Sequence, residues 1–112
     1  MMAEARDDDE IFIYMGGDQE VPRHVRRARI HRSVKIIPRR AFRYRYDLIY
    51  VEFHDEIEII EEMAFAYCRS LRGCIKLLGV KIIKKRAFFE CIVLEGVEFG
   101  KCYFITTKQK VV

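Results

Sequence analysis

The sequence contains little proline and glycine and no apolar run long enough to cross a membrane. Two Pro and six Gly in 112 residues leave little material for a linker. No stretch of about 18 apolar residues is present, so we expect no membrane span. The first residues, MMAEARDDDE, are acidic and lack the apolar centre of a secretory signal. We therefore expect one small intracellular domain with a flexible acidic tail over residues 1–10.

Cysteine is also scarce, with four residues at Cys68, Cys74, Cys91 and Cys102. Their spacing matches no paired C-x-x-C zinc pattern, so we expect reduced thiols and no bound metal. Cys68 and Cys91 lie 23 residues apart. One interpretation is a redox pair or a nucleophile. We favour the other, in which both are small buried residues of a packed core.

Catalytic motifs are equally sparse. His31 and His54 are expected to lie near each other, but two histidines are too few for a metal site. We interpret them, with His24, as surface polar residues. No Gly-rich phosphate loop and no G-x-S-x-G motif is present in the sequence. We therefore expect neither an enzyme nor a cofactor.

The sequence does contain a nine-residue motif in three similar copies. It reads VKIIPRRAF over 34–42, IEIIEEMAF over 57–65 and VKIIKKRAF over 80–88. Repetition at a period of about 20 to 50 residues is typical of solenoids, in which each unit buries its apolar side against the next. The period of 23 residues divides the chain into an N-terminal cap with a truncated repeat (11–33), repeat 1 (34–56), repeat 2 (57–79), repeat 3 (80–102) and an incomplete repeat or C-terminal edge (103–112).

Each unit contains two strand-like pieces and a bend. The triplets VEF (51–53) and IKL (75–77) alternate apolar and charged residues, as half-buried strands do. The segment after each Ala-Phe pair is short enough for one helical or 3-10 turn. We predict that equivalent apolar residues stack from unit to unit. The predicted core consists of Ile37, Phe42, Leu48, Ile60, Phe65, Cys68, Leu71, Ile83, Phe88, Cys91 and Leu94.

The order of the residues in each unit carries a family resemblance. An Ala-Phe pair, a Cys three residues later and a Leu three residues further on precede an apolar-x-apolar strand. Ala64, Phe65, Cys68 and Leu71 carry this pattern in repeat 2. The pattern resembles the BspA-like leucine-rich repeat family over roughly residues 25–105. The resemblance implies a mainly β, curved, right-handed leucine-rich-repeat solenoid with parallel strands on its concave face.

Two departures from the pattern concern the fold. Arg45 stands where the pattern has Cys, so we expect repeat 1 to be rearranged or locally open at that point. Repeat 2 carries one extra residue before IKL, and we expect a bulge near Gly73–Cys74 to absorb it. Tyr44 and Tyr46 either fill the space of the missing Cys, which we favour, or stand exposed at an interface.

Charges alternate in sign from one unit to the next. Arg29, Glu52, Lys76 and Glu98 are the middle residues of successive concave strands, which should lie about 4.8 Å apart. Opposite charges on neighbouring strands favour their pairing, so most charges are expected to fix which unit stacks on which. With Tyr50, these four residues form the predicted concave face, where we expect another protein to bind. Two further columns alternate in the same way, Lys35–Glu58–Lys81 and Arg39–Glu62–Lys85.

A surplus of arginine lies toward the N-terminus. These side chains have no acidic unit on their outer side, so the alternative function is electrostatic binding of nucleic acid or another polyanion. The predicted polyanion patch consists of Arg23, Arg26, Arg27, Arg32, Arg40 and Arg43.

The C-terminal segment YFITTKQKVV begins a further unit without an Ala-Phe pair. An uncovered end of a solenoid exposes apolar surface and unpaired backbone groups. We therefore expect self-association or partner docking at this edge. The sequence favours a protein-interaction module with an unidentified partner, and it leaves open a fragment or divergent copy with no role of its own.

Overall fold

A computed structural model describes residues 10–99, together with the backbone of residues 104 and 105. The predicted acidic tail lies outside the described residues apart from Glu10. The same is true of Cys102 and of most of the predicted C-terminal edge over 103–112.

The described residues form nine short strands and no helix. No helix long and apolar enough to cross a bilayer is therefore found in this part of the chain. The strands are β1 (Phe12–Tyr14), β2 (Arg27–Ile30), β3 (Ile36–Ile37), β4 (Tyr50–Glu52), β5 (Ile59–Ile60), β6 (Gly73–Leu77), β7 (Ile82–Ile83), β8 (Leu94–Phe99) and β9 (Phe104–Ile105).

All strand pairs are parallel, and the chain alternates between two sides of a coil. One side carries the sheet β3-β5-β7-β9, and the other carries the sheets β1-β2-β4 and β6-β8. In the first sheet Ile36 pairs with Ile59, and Ile59 pairs with Ile82, so each coil advances by one sequence period. This arrangement confirms the predicted repeat solenoid.

The centre of the solenoid is a stack of phenylalanine rings. Phe42 and Phe65 lie with ring centroids 4.8 Å apart and planes 13° apart, and Phe65 and Phe88 are 5.3 Å and 7° apart. Tyr14 ends the stack, its ring meeting Phe42 edge-on at 5.2 Å. The eleven predicted core residues are all buried. Aromatic pairs contribute about 0.5–1.5 kcal/mol beyond the burial of their area.

The predicted helical turn is wrong, because the segments after each Ala-Phe pair form a series of tight turns. We call residues 38–47, 61–70 and 84–93 the turn segments. In the first, Arg43 donates its backbone N–H to the Arg40 carbonyl within the same coil (3.2 Å). The N–H of Phe42 instead crosses to the Ala64 carbonyl of the next coil (2.7 Å). A helix would direct both donors along its own axis, so it could not join neighbouring coils.

The alternation of backbone hydrogen bonds within a coil and between coils requires residues with positive φ. Arg40 and Tyr44 have φ of 59° and 66°, and the same two positions are left-handed in the following coils. None of these positions holds glycine, and a left-handed residue with a Cβ costs roughly 1–2 kcal/mol. The complete set is Arg40, Tyr44, Met63, Tyr67, Arg86 and Glu90.

Arg45 joins repeat 1 to the predicted N-terminal cap. In the later repeats, the thiol at this position donates to the backbone carbonyl of a Phe in the preceding coil. Repeat 1 follows no coil with an Ala-Phe pair, and the longer Arg45 side chain donates to the Val21 carbonyl (2.5 Å) and the Arg43 carbonyl (2.8 Å). The departure from the pattern is thus a rearrangement in which arginine replaces cysteine.

The sheet on the second side is interrupted between β4 and β6. These two strands are not paired, although the Arg72 N–H still reaches the Ile49 carbonyl at 3.3 Å. The register of β6 and β8 shifts between Gly73 and Cys74, where an irregularity was expected. Gly73 has a φ of 81°, which its missing Cβ allows.

Replacing Gly79 with alanine should destabilise the fold by about 3 kcal/mol. An added Cβ would lie 1.9 Å from the Asp55 carbonyl oxygen, so one of two backbones would have to move. Gly96→Ala is the matched control, because its Cβ would meet only the Cys74 sulfur at 3.6 Å. It should change stability by less than about 1 kcal/mol. Urea denaturation measures both variants, and equal losses would contradict the close approach at Gly79.

Candidate functional site

The predicted concave face lies on the exposed side of β2, β4, β6 and β8. Ala28 and Val51 point inward from β2 and β4, which turns their neighbours Arg29 and Glu52 outward. The Arg29 Nε lies 3.0 Å from a Glu52 carboxylate oxygen, and both side chains are almost half exposed. The first step of the predicted charge ladder is therefore an ion pair on an open surface.

The ladder does not continue as one row. Lys76 and Glu98 lie opposite each other in β6 and β8, but among the described residues no ion pair joins Lys76 to Glu98 or to Glu52. The interruption between β4 and β6 separates the two halves of the face. A cleft of about 360 Å³ opens there, lined by Glu52, Phe53, His54, Asp55, Lys76 and Leu78.

Tyr50 lies beside the Arg29–Glu52 ion pair, directly opposite Arg27 in the β2–β4 register. Its side chain is 44% exposed. The Arg27 Nε is buried and has no hydrogen-bond partner within the described chain. A buried guanidinium nitrogen without an acceptor is unfavourable, so Arg27 stabilises this part of the sheet less than a fully paired arginine would.

In the other two charge columns, only some of the predicted ion pairs form. Arg39 pairs with Glu62 at 3.7 Å, as the alternation predicts. Lys35 pairs with Glu56 at 3.4 Å and not with Glu58. Exposed pairs of this kind contribute about 0–1 kcal/mol each. They help to set the order of the coils but add little to their stability.

The six arginines of the predicted polyanion patch are distributed over different parts of the fold. Arg23, Arg26 and Arg27 line a cavity of about 540 Å³ beside β1. Arg43 lies over the ring of Tyr44, with its guanidinium carbon 4.6 Å from the ring centroid. The other two, Arg32 and Arg40, lie in the turn after β2 and in the first turn segment.

Two of the three histidines support turns, whereas the His24 Nδ1 lies 3.1 Å from an Asp47 carboxylate oxygen. The His54 Nε2 lies 2.9 Å from the Val34 carbonyl oxygen, and its Nδ1 accepts the Glu56 N–H at 3.0 Å. The His31 Nδ1 likewise accepts the Ser33 N–H at 3.1 Å. No cluster of three His, Cys, Asp or Glu suited to a metal ion is found within the described part of the chain.

Two of the thiols belong to the core. The Cys68 and Cys91 sulfurs donate to the carbonyls of Phe42 and Phe65, at 3.1 Å each. The pKa of Cys68 is raised mainly by two effects, of which the larger is the hydrogen bond with the Cys91 thiol and the smaller is burial. A raised pKa keeps the thiol protonated and unreactive, so a nucleophilic role is unsuited to this position. Cys74, by contrast, is exposed on β6.

The interpretation of Tyr44 and Tyr46 as core packing is wrong. They are 43% and 51% exposed, because Arg45 already occupies the position of the missing Cys. Tyr44 instead contacts Tyr67 of the next coil at 5.0 Å between ring centroids. We call Tyr46, Tyr44, Tyr67 and Phe89 the aromatic row. Sequence reasoning missed the row, although the 23-residue spacing of Tyr44 and Tyr67 indicated that these two rings would be neighbours.

A sequence profile described as a BspA-type leucine-rich repeat region matches residues 24–109 in six copies. No curated protein and no solved structure gave a significant match. The profile covers most of the described strands and excludes β1.

Among the described cysteines, Cys74 should react with iodoacetamide near neutral pH while Cys68 and Cys91 stay protected until the chain unfolds. Burial and the raised pKa of Cys68 suppress its thiolate, and the stability associated with the protonated thiol should decline as pH rises above the pKa of an unfolded cysteine, about 8.5. Peptide mass mapping before and after urea measures the labelling. Fast labelling of Cys68 in the native protein would contradict a structural role.

Proposed function

The chain belongs to the BspA-type leucine-rich repeat family, and we propose that it is a non-enzymatic module that binds another protein through its predicted concave face. Leucine-rich repeats generally mediate protein–protein interaction, and repeat solenoids use extended strand surfaces for binding. Neither a clustered metal site nor a reactive buried thiol is present in the described part of the chain. A binding role is therefore the function that these observations support best.

The observation that carries this proposal is the exposed tyrosine beside an ion pair on the open side of the strands. Tyrosine and arginine are the residues most often found as energetic anchors at protein interfaces. Tyr50 and the Arg29–Glu52 pair offer such an anchor. The adjacent cleft adds apolar surface from Phe53 and Leu78. A partner that fills the cleft would bury these groups next to opposite charges, which favours one orientation of binding.

The nucleic-acid alternative receives no support from the family match. The cavity lined by Arg23, Arg26 and Arg27 also has Glu10 in its lining, and Arg26 and Arg27 lie within the repeat region that the profile matches. We therefore do not advance polyanion binding as a second function.

A photo-crosslinking residue at position 50 should capture a discrete partner protein from a lysate of the source organism. The same residue at Lys81, which is exposed on the far side of the coil, is the matched control. We expect one dominant adduct at Tyr50 and only background at Lys81. The adduct should weaken about tenfold when Arg29→Ala removes the neighbouring charge. Equal labelling at both positions would show that the predicted concave face is not the contact surface.

We also propose self-association at the C-terminal side, as a separate property. Ile75 and Leu77 of β6 are buried, whereas Val97 and Phe99 at equivalent positions of β8 are only partly buried. No strand pairs with the outer side of β8 within the described residues. This edge combines incompletely covered apolar side chains with backbone groups that can pair with another strand.

If this edge joins two copies, the purified chain should be a dimer by size-exclusion chromatography with light scattering at low and high salt. Val97→Lys should shift it to monomer, because burial of an unpaired ammonium opposes association. Glu95→Lys introduces the same group at an exposed position of β8 and should leave the dimer intact. A monomeric wild-type chain at both salt concentrations would rule out this interface.

A further inference from the structure

The aromatic row runs across all three turn segments. Successive ring centroids are 6.1 Å apart from Tyr46 to Tyr44, 5.0 Å from Tyr44 to Tyr67 and 5.5 Å from Tyr67 to Phe89. Tyr67 and Phe89 are partly exposed, and the first two tyrosines are more so. The row therefore presents a continuous strip of ring edges to solvent, separate from the predicted concave face.

Arginine side chains lie along this strip. The guanidinium carbons of Arg43 and Arg86 are 4.6 Å and 5.5 Å from the ring centroids of Tyr44 and Phe89. Neither has a carboxylate partner within the described residues. Arg69, over Tyr67, differs because it also pairs with Glu90 at 3.4 Å. Two stacked cations therefore remain available near opposite ends of the row.

The polar atoms of the row are unpaired as well. Among the described residues, the phenol hydroxyls of Tyr44, Tyr46 and Tyr67 make no hydrogen bond. Each hydroxyl can donate one. A cavity at one end of the row is lined by Glu20, Val21, Pro22, Arg23, Tyr44, Arg45 and Tyr46. A ligand on the strip would therefore meet hydroxyl donors, ring edges and guanidinium groups.

The ring spacing disfavours stacked nucleic-acid bases. A base inserted between two rings needs about 3.5 Å on each face, hence roughly 7 Å between the rings. The ring pairs that cross between coils are closer than this, and Arg43 already lies over the ring of Tyr44. The strip is therefore suited to a ligand that lies across the ring edges.

We propose that the aromatic row binds a proline-rich peptide in the polyproline II conformation, with an acidic residue on each side of the prolines. Such a peptide has no internal hydrogen bonds, so its carbonyl oxygens can accept from the tyrosine hydroxyls. Its proline rings pack on aromatic edges, and its rigid backbone loses little conformational entropy on binding.

The positions of the two unpaired arginines set the spacing of the acidic residues. Arg43 and Arg86 lie two coils apart, which corresponds to roughly 10 Å at about 4.8 Å per coil. A polyproline II chain rises about 3.1 Å per residue and has three residues per turn, so carboxylates about three positions apart, with two residues between them, span this distance on one face. The expected motif is Glu-Pro-Pro-Glu or its aspartate equivalent. This inference does not rest on the predicted concave face.

A peptide with the core Glu-Pro-Pro-Glu, titrated into the isotopically labelled chain and followed by NMR, tests the proposal. We expect saturable shifts of the Tyr44, Tyr67 and Phe89 amides. Replacing both glutamates with lysine, or the two prolines with Gly-Ser, should weaken binding by about tenfold each. Absence of saturable shifts up to millimolar peptide would overturn the proposal.

Substitutions of single tyrosines test whether the peptide binds at the aromatic row. Tyr44→Asn keeps a residue that tolerates positive φ and should weaken binding about tenfold, while Tyr44→Phe should weaken it about threefold. Tyr46→Ala is a second test at an ordinary backbone conformation, and thermal melting checks the fold of each variant. Tyr50→Ala is the matched control, since Tyr50 and Tyr44 are equally exposed, and it should bind like wild type.

Two results would contradict the binding of an acidic proline-rich peptide at the aromatic row. An equal loss of binding in Tyr50→Ala would place the peptide on the predicted concave face and overturn the proposal. Tighter binding of a ten-nucleotide oligothymidine than of the acidic peptide would assign the strip to single-stranded nucleic acid. Failure of the photo-crosslinking experiment at Tyr50 would leave these expectations unchanged, because the two surfaces are separate.

Discussion

The stacking of Phe42, Phe65 and Phe88 sets the distance between neighbouring coils, and the remaining contacts depend on that distance. The rings lie nearly parallel at 4.8 Å and 5.3 Å, close to the spacing of hydrogen-bonded strands. Each buried ring contributes roughly 1.5–3 kcal/mol through burial alone. Because the core and the strands share one spacing, Ile59 can pair with Ile36 and Ile82 while the rings remain in contact.

The same spacing explains why the turn segments accept strained residues. In the first two turn segments every second backbone N–H over 40–44 and 63–67 donates to the next coil, and this geometry places Arg40 and Tyr44 in the left-handed region. Each left-handed side chain costs roughly 1–2 kcal/mol. A buried N–H left without an acceptor would cost about as much or more, at roughly 1–3 kcal/mol. In these two segments the backbone hydrogen bonds between coils therefore offset the strain.

The sequence period was sufficient to predict the solenoid, the stacked core and the position of the irregularity near Gly73, because a repeat places equivalent residues above one another. It could not distinguish a helical turn from a series of tight turns, since both fit ten residues between strands. It also predicted a continuous charge ladder, which the separation of β4 and β6 divides. The partner of Arg45, the Val21 carbonyl, lies in the cap, where no repeat pattern applies.

Stability and surface chemistry are carried by different residues in this fold. Exposed pairs such as Arg29–Glu52 contribute about 0–1 kcal/mol, far less than the ring stack. Tyr44 and Tyr46 keep much of their ring area in water, so packing explains only part of their presence at the surface. The coils thus hold a divided charged face and a continuous aromatic row. A solenoid of this kind can position recognition groups without relying on them to fold.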